Sequence, residues 1–269
     1  DRYVRRPGAR SLAPAMLPSS PDPQAPPQVV PRPPSARPGA PAPWAVMAPG
    51  ARRGLSVDRA LAALAGAGRI GPNPPPDESV EVFDARPTAE PMRSAAVLVA
   101  LSEEHGEARV LLTRRATTLR SHQGEISFPG GRIDPGEGPA DAALREAWEE
   151  VRLDPATVRP VGWLRPVQTF VSTSLVFPVV AVVDTPPTDL VVSPPEVARV
   201  FDVALADLVA DGAFSEERWR FPDRPVPGSP DGSFPVRFFH AAGELVWGAT
   251  ARMLFELLCL VLGLDPPAT

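Results

Sequence analysis

Apolar and polar positions alternate along this chain in two periods, and each period predicts an element. Residues 95–101 (AAVLVAL) and 108–113 (ARVLLT) are apolar runs of strand length. The polar stretch 103–107, with Gly106 inside, predicts a hairpin between them. Further strands are predicted at 161–164 and at 175–183 (LVFPVVAVV), where Pro178 points to an edge position or a bulge. Helical spacing recurs at Val57, Leu61 and Leu64 behind a Ser56 cap, with an end expected near Gly66 or Gly68. A short helix is expected at 204–209. A last helix is predicted with Thr250 as cap and a broad apolar face of Met253, Leu254, Leu257, Leu258, Val261 and Leu262. Residues 215–240, punctuated by Pro222, Pro225, Pro227, Pro230 and Gly232, read as an irregular loop.

The most informative pattern lies at 139–151. Pro139 suits a first helical turn, and no breaker intervenes before Val151. On a helical wheel Leu144, Ala147, Trp148 and Val151 share one side. Glu146, Glu149 and Glu150 gather on the other, at spacings that make them neighbours. Such a face is usually just solvated. Three adjacent carboxylates also suit hard divalent cations, which take oxygen ligands and bind substrate phosphates. Just upstream, Gly130, Gly131 and Gly136 allow backbone conformations that other residues resist.

Spacing decides between these readings. Gly131, Glu137, Arg145, Glu146, the apolar Ala147, Glu149 and Glu150 fall at fixed intervals over the 23 residues 131–153. This arrangement resembles the Nudix box. One position departs: Arg152 stands where the family has glycine, followed by the expected apolar Leu153. Glycine past a helix end often adopts the left-handed conformation, and arginine there costs roughly 1 kcal/mol. No ligand is lost, so local strain is expected with chemistry kept. Upstream, Leu111, Leu112, Thr113, Arg115, Ala116, Arg120, Gly124, Phe128, Pro129, Gly130 and Gly131 resemble the signature of coenzyme A pyrophosphatases. Signature and box together cover 43 residues.

The resemblance implies an α/β fold, an α/β/α sandwich around a mixed sheet, occupying residues 54–269. It implies metal-dependent hydrolysis of coenzyme A or an acyl-CoA to 3′,5′-ADP and 4′-phosphopantetheine or its acylated form. Mg²⁺ or Mn²⁺ is the expected cofactor, held by Glu146, Glu149, Glu150 and the Gly131 carbonyl. Glu146 is also the candidate proton acceptor, and Glu137 and Arg145 are a pair that orients the carboxylates. Arg115, Arg120 and Gly130 are the substrate-binding candidates. Glu196, in a loop from which the family often draws another carboxylate, is an additional one, with helix capping or a surface role as its alternative. His122 alone specifies nothing. The competing readings are a Nudix enzyme acting on ADP-ribose, NADH or another nucleoside phosphate, and a catalytically silent nucleotide-binding module.

Composition adds a boundary. The first fifty residues hold fourteen prolines, so residues 1–53 are expected to be a disordered or polyproline-like arm. Pro31 and Pro34 have a spacing that could dock on a partner's aromatic groove, which would make the arm a tether. All 27 basic residues are arginine, a compositional bias that weakens any nucleic-acid argument. Residues 1–53 carry +6 and, with the whole chain at −5, the remainder carries −11. An acidic body is not expected to wrap a nucleic acid. No apolar run reaches the ~20 residues that span a bilayer, and no signal-peptide core precedes the domain. The single cysteine, Cys259, fits a reducing, cytoplasmic setting. Beyond the small-molecule substrate and a partner of the arm, a homodimer is left open.

Overall fold

A computed structural model of the chain describes residues 28–75, 78, 92–119, 122–169, 174–184, 186–187, 190–221, 229 and 231–265. In chain order, β1 (Arg37–Pro38) and two 3-10 turns precede α1 (Val57–Gly66). Strands β2 (Arg93–Glu104), β3 (Glu107–Arg115), β4 (Ile126–Ser127) and β5 (Gly130–Arg132) lead into α2 (Pro139–Val151). Next come β6 (Val158–Trp163), β7 (Val167–Gln168), β8 (Ser174–Val183), β9 (Val197–Ala204) and the one-turn α3 (Leu205–Leu208). Strands β10 (Phe214–Arg220), β11 (Ser233–Ala241) and β12 (Glu244–Val246) are followed by α4 (Gly248–Leu262).

The expected hairpin is the centre of the larger sheet. Strands β2 and β3 pair antiparallel, with Leu101 opposite Val110. His105 and Gly106 both take positive φ at its tip, as a two-residue turn matched to strand twist requires. Strand β8 joins β2 in parallel, while β3, β5, β6, β7 and β9 are added antiparallel, so the sheet is mixed. Alternation along β2 fills both faces. Ala96, Leu98 and Ala100 pack under α2. Val99 and Leu101 face the core shared with α1 and α4. The α/β/α sandwich is thus present.

Pro178 is not at an edge. It sits in β8, an interior strand, opposite Val97 of β2. On the other side its missing N–H falls between two partners: β6 pairing stops at Val179 and β7 pairing resumes at Val176. The 215–240 region also departs from expectation. Within it β10 and β11 pair over seven residue pairs and, with β1 and β12, form a second, four-stranded sheet. The tightest proline cluster lies at 222–228, outside the described residues. Thr250 is no cap either: it lies within the first turn of α4, whose N-cap is Trp247. The Ser56 cap is in place, its hydroxyl accepting from the Arg59 N–H at 3.2 Å.

The arm expected over 1–53 does not match its described part. Residues 28–53 pack on the body because one large aromatic group anchors them. Trp44 is 1% exposed and meets Phe214, Phe239 and Phe255 at centroid distances of 5.3, 6.3 and 5.6 Å. The short β1 covers the β10 edge, and the buried Arg52 donates to the Val209 carbonyl and to Asp211. Proline-rich chain needs no ladder of its own once a side chain of this size is buried.

Two buried glutamates join elements distant in sequence. Glu244 on β12 accepts from Arg114 of β3 and Arg199 of β9, both at 2.8 Å, which joins the two sheets. Glu256 on α4 binds Arg69 at 2.5 Å and Arg165 at 2.7 Å. Among the described residues no helix is long and apolar enough to cross a membrane.

Candidate active site

Three elements converge at the double glycine. Strand β5 lies along β2 with Gly130 opposite Val97 and Gly131 opposite Ala96. A side chain at Gly130 would strike the β2 backbone, and one at Gly131 would displace the Glu146 carboxylate. A Cβ on Gly130 would lie 2.3 Å from the Ala96 carbonyl oxygen, and one on Gly131 2.5 Å from the Glu146 carboxylate. The second glycine therefore leaves room for an acidic group directly against the strand.

Helix α2 supplies that group and is fixed at both ends. The Ala140 N–H donates to Asn73 Oδ1 at 2.9 Å, satisfying one of the unpaired groups of the first turn. Asn73 carries no sequence signal for this role, lying 67 positions away. At the C-terminus Arg152 does adopt the left-handed conformation, φ 56° and ψ 31°. Its guanidinium lies over the Trp148 ring at 5.1 Å, a contact worth about 0.5–1 kcal/mol at an exposed site. That offsets much of the backbone strain. The loop before β9 docks on the same helix end, Ser193 N–H donating to the Glu150 carbonyl and Val191 N–H to that of Val151.

Arg145 organises the exposed part of the glutamate face. It holds Glu137 in a two-pronged contact of 2.9 and 3.0 Å, reaches Glu146 at 2.9 Å and Glu149 at 3.4 Å, and donates to the Arg132 carbonyl. The contact with Arg145 holds the Glu137 carboxyl below its ordinary pKa, and Glu137 in turn is the main cause raising that of Arg145. Glu137 and Arg145 are therefore in direct contact. Glu149 is the open member, its side chain 52% exposed.

Glu150 points the other way and is buried, 4% exposed, with its Oε2 accepting the Gly130 N–H at 3.1 Å. Burial pushes its pKa up to about 7; the Gly130 N–H and the charge of Arg115 oppose this, and Glu146 and Glu196 add to it. Glu146 is also raised, mainly by burial. Glu196, in the turn before β9, contributes the smallest named part of both upward shifts, and its backbone carbonyl accepts from the Ala116 N–H. Arg115 ends β3, and its charge acts on both Glu150 and His122. Its buried Nε has no hydrogen-bond partner among the described residues. His122 pairs with Glu125 at 2.8 Å. Gly130, expected at the substrate, gives its N–H to Glu150. Arg120 lies outside the described residues.

A group with a folded pKa above its unfolded one binds its proton more tightly when folded, so it destabilises the fold once the proton is lost. For Glu150 that cost is absent below about pH 4.5, the ordinary value, and complete above about pH 7. With chelator present, the protein is expected to lose on the order of 2–3 kcal/mol of this contribution between pH 4.5 and pH 8. Glu150→Gln, which keeps an acceptor for Gly130, should abolish most of that loss. Urea unfolding at the two pH values measures it; an unchanged pH dependence in the variant would remove Glu150 as its source.

The donor set suits a hard cation in kind: carboxylate oxygens, with that of Glu146 directly against the Gly131 backbone. In this conformation Arg145 neutralises Glu146 and Glu149, and among the described residues no three acidic, histidine or cysteine side chains close on a common point. The residues fit a Mg²⁺-type ion provided Arg145 yields part of its hold on them.

Comparison with known proteins agrees with this arrangement. A family model of the NUDIX domain matches residues 92–224, which include the double glycine and α2. Nudix hydrolase 3 of Caenorhabditis elegans is 32% identical over 173 residues, 61% of this chain and 72% of the relative. The Nudix hydrolase NudL of Photorhabdus laumondii is 37% identical over 149 residues, 55% and 74% of the two chains. The mitochondrial Nudix hydrolase 15 of Arabidopsis thaliana is 34% identical over 190 residues, 66% and 62%. The relatives' differing destinations assign no compartment to this chain. On its matched domain, its glycine-backed carboxylates and these relatives, the chain belongs to the Nudix hydrolases, a family that acts on pyrophosphate bonds of small nucleotide-type substrates and typically uses a divalent metal.

Proposed function

We propose that the protein hydrolyses the diphosphate linkage of coenzyme A or an acyl-CoA, releasing 3′,5′-ADP and 4′-phosphopantetheine or its acylated form. The observation that supports this reading best is Arg115. It occupies a position of the coenzyme A signature, its charge acts on Glu150, and its buried Nε has no acceptor among the described residues. A guanidinium so placed binds phosphate oxygens. Arg120, four residues beyond the end of the same signature's first cluster, would assist.

Glu146, Glu149, Glu150 and the Gly131 carbonyl would hold Mg²⁺ or Mn²⁺. When bound, such an ion neutralises diphosphate charge and makes water a better nucleophile at neutral pH. The chain's own part is orientation and proton transfer. Arg145 and Glu137 hold Glu146 and Glu149 in place, and the Gly130 N–H holds Glu150. Glu146, with its raised pKa, accepts a proton from the attacking water as the bridging P–O bond breaks. Glu196 adds a carboxylate from the facing loop.

The test is a substrate panel. Incubation with coenzyme A, ADP-ribose and NADH, with and without Mg²⁺ or Mn²⁺, is followed by mass identification of products. Metal-dependent cleavage of coenzyme A at the highest kcat/KM is expected. A higher kcat/KM on ADP-ribose or NADH would reject the coenzyme A assignment, and no turnover of any of the three would favour a silent binding module.

A further inference from the structure

The second sheet and the start of α4 enclose a cavity of about 280 Å³ that the hydrolytic machinery does not use. Its walls are aromatic, Trp219, Phe221, Phe234 and Trp247, and it lies on the side of the sheet that carries α4. Phe221 and Phe234 stack at 6.0 Å, and Trp219 and Trp247 lie 6.4 Å apart. The remaining lining includes Arg237 and Arg252 and, among the described residues, no carboxylate. The two indoles differ in one respect. Trp219 donates its N–H to Glu217 at 2.7 Å, whereas the buried Trp247 Nε1 has no acceptor among the described residues. A buried donor without an acceptor is unfavourable. A cavity wall is where a ligand can supply the missing acceptor.

In the plane of the sheet the cavity lies a few strands from the double glycine. Gln168 lies on its rim. That residue is opposite Leu175, Leu175 is opposite Ser94, and the Ser94 carbonyl accepts from Ile133, next to the end of β5. Three strand spacings, about 15 Å, separate the rim from the glycine strand along one row of the sheet.

We propose that this cavity is a subsite for the purine base of the substrate. A purine presents two flat faces to the aromatic walls and ring nitrogens that accept from the Trp247 N–H. Arg252 favours the anionic nucleotide to which the base is attached, whereas Arg237 is already paired with Glu216. The proposal rests on the reading that the substrate is a nucleotide-linked diphosphate, but its test is independent of turnover.

The full chain, in chelator, is titrated with AMP while tryptophan fluorescence is followed. Ribose 5-phosphate serves as the control without a base and octanoate as the control for an acyl chain. AMP is expected to give saturable quenching that the controls do not. Trp247→Phe, which keeps a ring and removes the donor, should weaken AMP about tenfold. Ala249→Leu, which extends a side chain from the α4 wall into the space, should abolish the response. Four results overturn the proposal: no saturable quenching by AMP at millimolar concentration, equal quenching by ribose 5-phosphate, preferential quenching by octanoate, or unchanged affinity in both variants. Failure of the substrate panel with AMP binding intact would reject the hydrolysis reading and leave the subsite standing.

Discussion

Glu149→Gln is expected to lower kcat by at least about a thousandfold while leaving the folded domain intact. Its side chain is half exposed and makes one 3.4 Å contact, to Arg145. A surface contact of that kind contributes about 0–1 kcal/mol, so urea unfolding should hardly move. The exposed carboxylate is nevertheless the one member of the row that nothing buries, and so the one most available to a cation. Removing one anionic donor from a transition state that needs it should cost about 4 kcal/mol, a factor of about a thousand. The two readouts, kcat and unfolding midpoint, must therefore separate. Mn²⁺ titration followed by calorimetry gives a third, with binding weakened in the variant. Full retention of activity would take Glu149 out of the ligand set.

The second large effect concerns stability. Trp44→Ala is expected to cost about 3–5 kcal/mol, the range for deleting a large aromatic side chain from a core. Domains of this kind are stable by only about 5–15 kcal/mol, so the loss should appear as a large drop in unfolding midpoint and as poor recovery of folded protein. Deleting residues 1–53 should be worse, because it also removes β1 from the β10 edge and Arg52 from Asp211. Deleting only residues 1–27 leaves all three contacts in place. Unaltered urea unfolding of Trp44→Ala would mean that residues 28–53 are not part of the cooperative unit.

Much of the site is readable from spacing because its chemistry is local. Glu137, Arg145, Glu146 and Glu149 meet within a turn and one helix, where sequence intervals become distances directly. Arg152 follows the same logic, since the helix end dictates its φ whatever residue stands there. What periodicity misses is long-range. The Trp44 anchor is hidden among prolines whose composition argues for disorder, and only its partners Phe214, Phe239 and Phe255 reveal its place. Strand β9 carries Arg199 and Asp202 in an apolar run, which blurs alternation until Glu244 and Arg109 are seen to neutralise them. Strands β10 and β11 fail for a related reason: Glu216, Arg218, Arg220 and Arg237 interrupt their apolar positions, and the nearby prolines suggest a loop. The cap at Asn73 depends on a contact across 67 positions.

The junction where Glu244 takes a guanidinium from each of two strands has a thermal consequence. Water's grip on charged groups loosens as temperature rises, so the penalty for keeping such a trio dry shrinks on heating, while apolar contacts gain little more. This junction between the two sheets is consequently of the kind that loses least on heating.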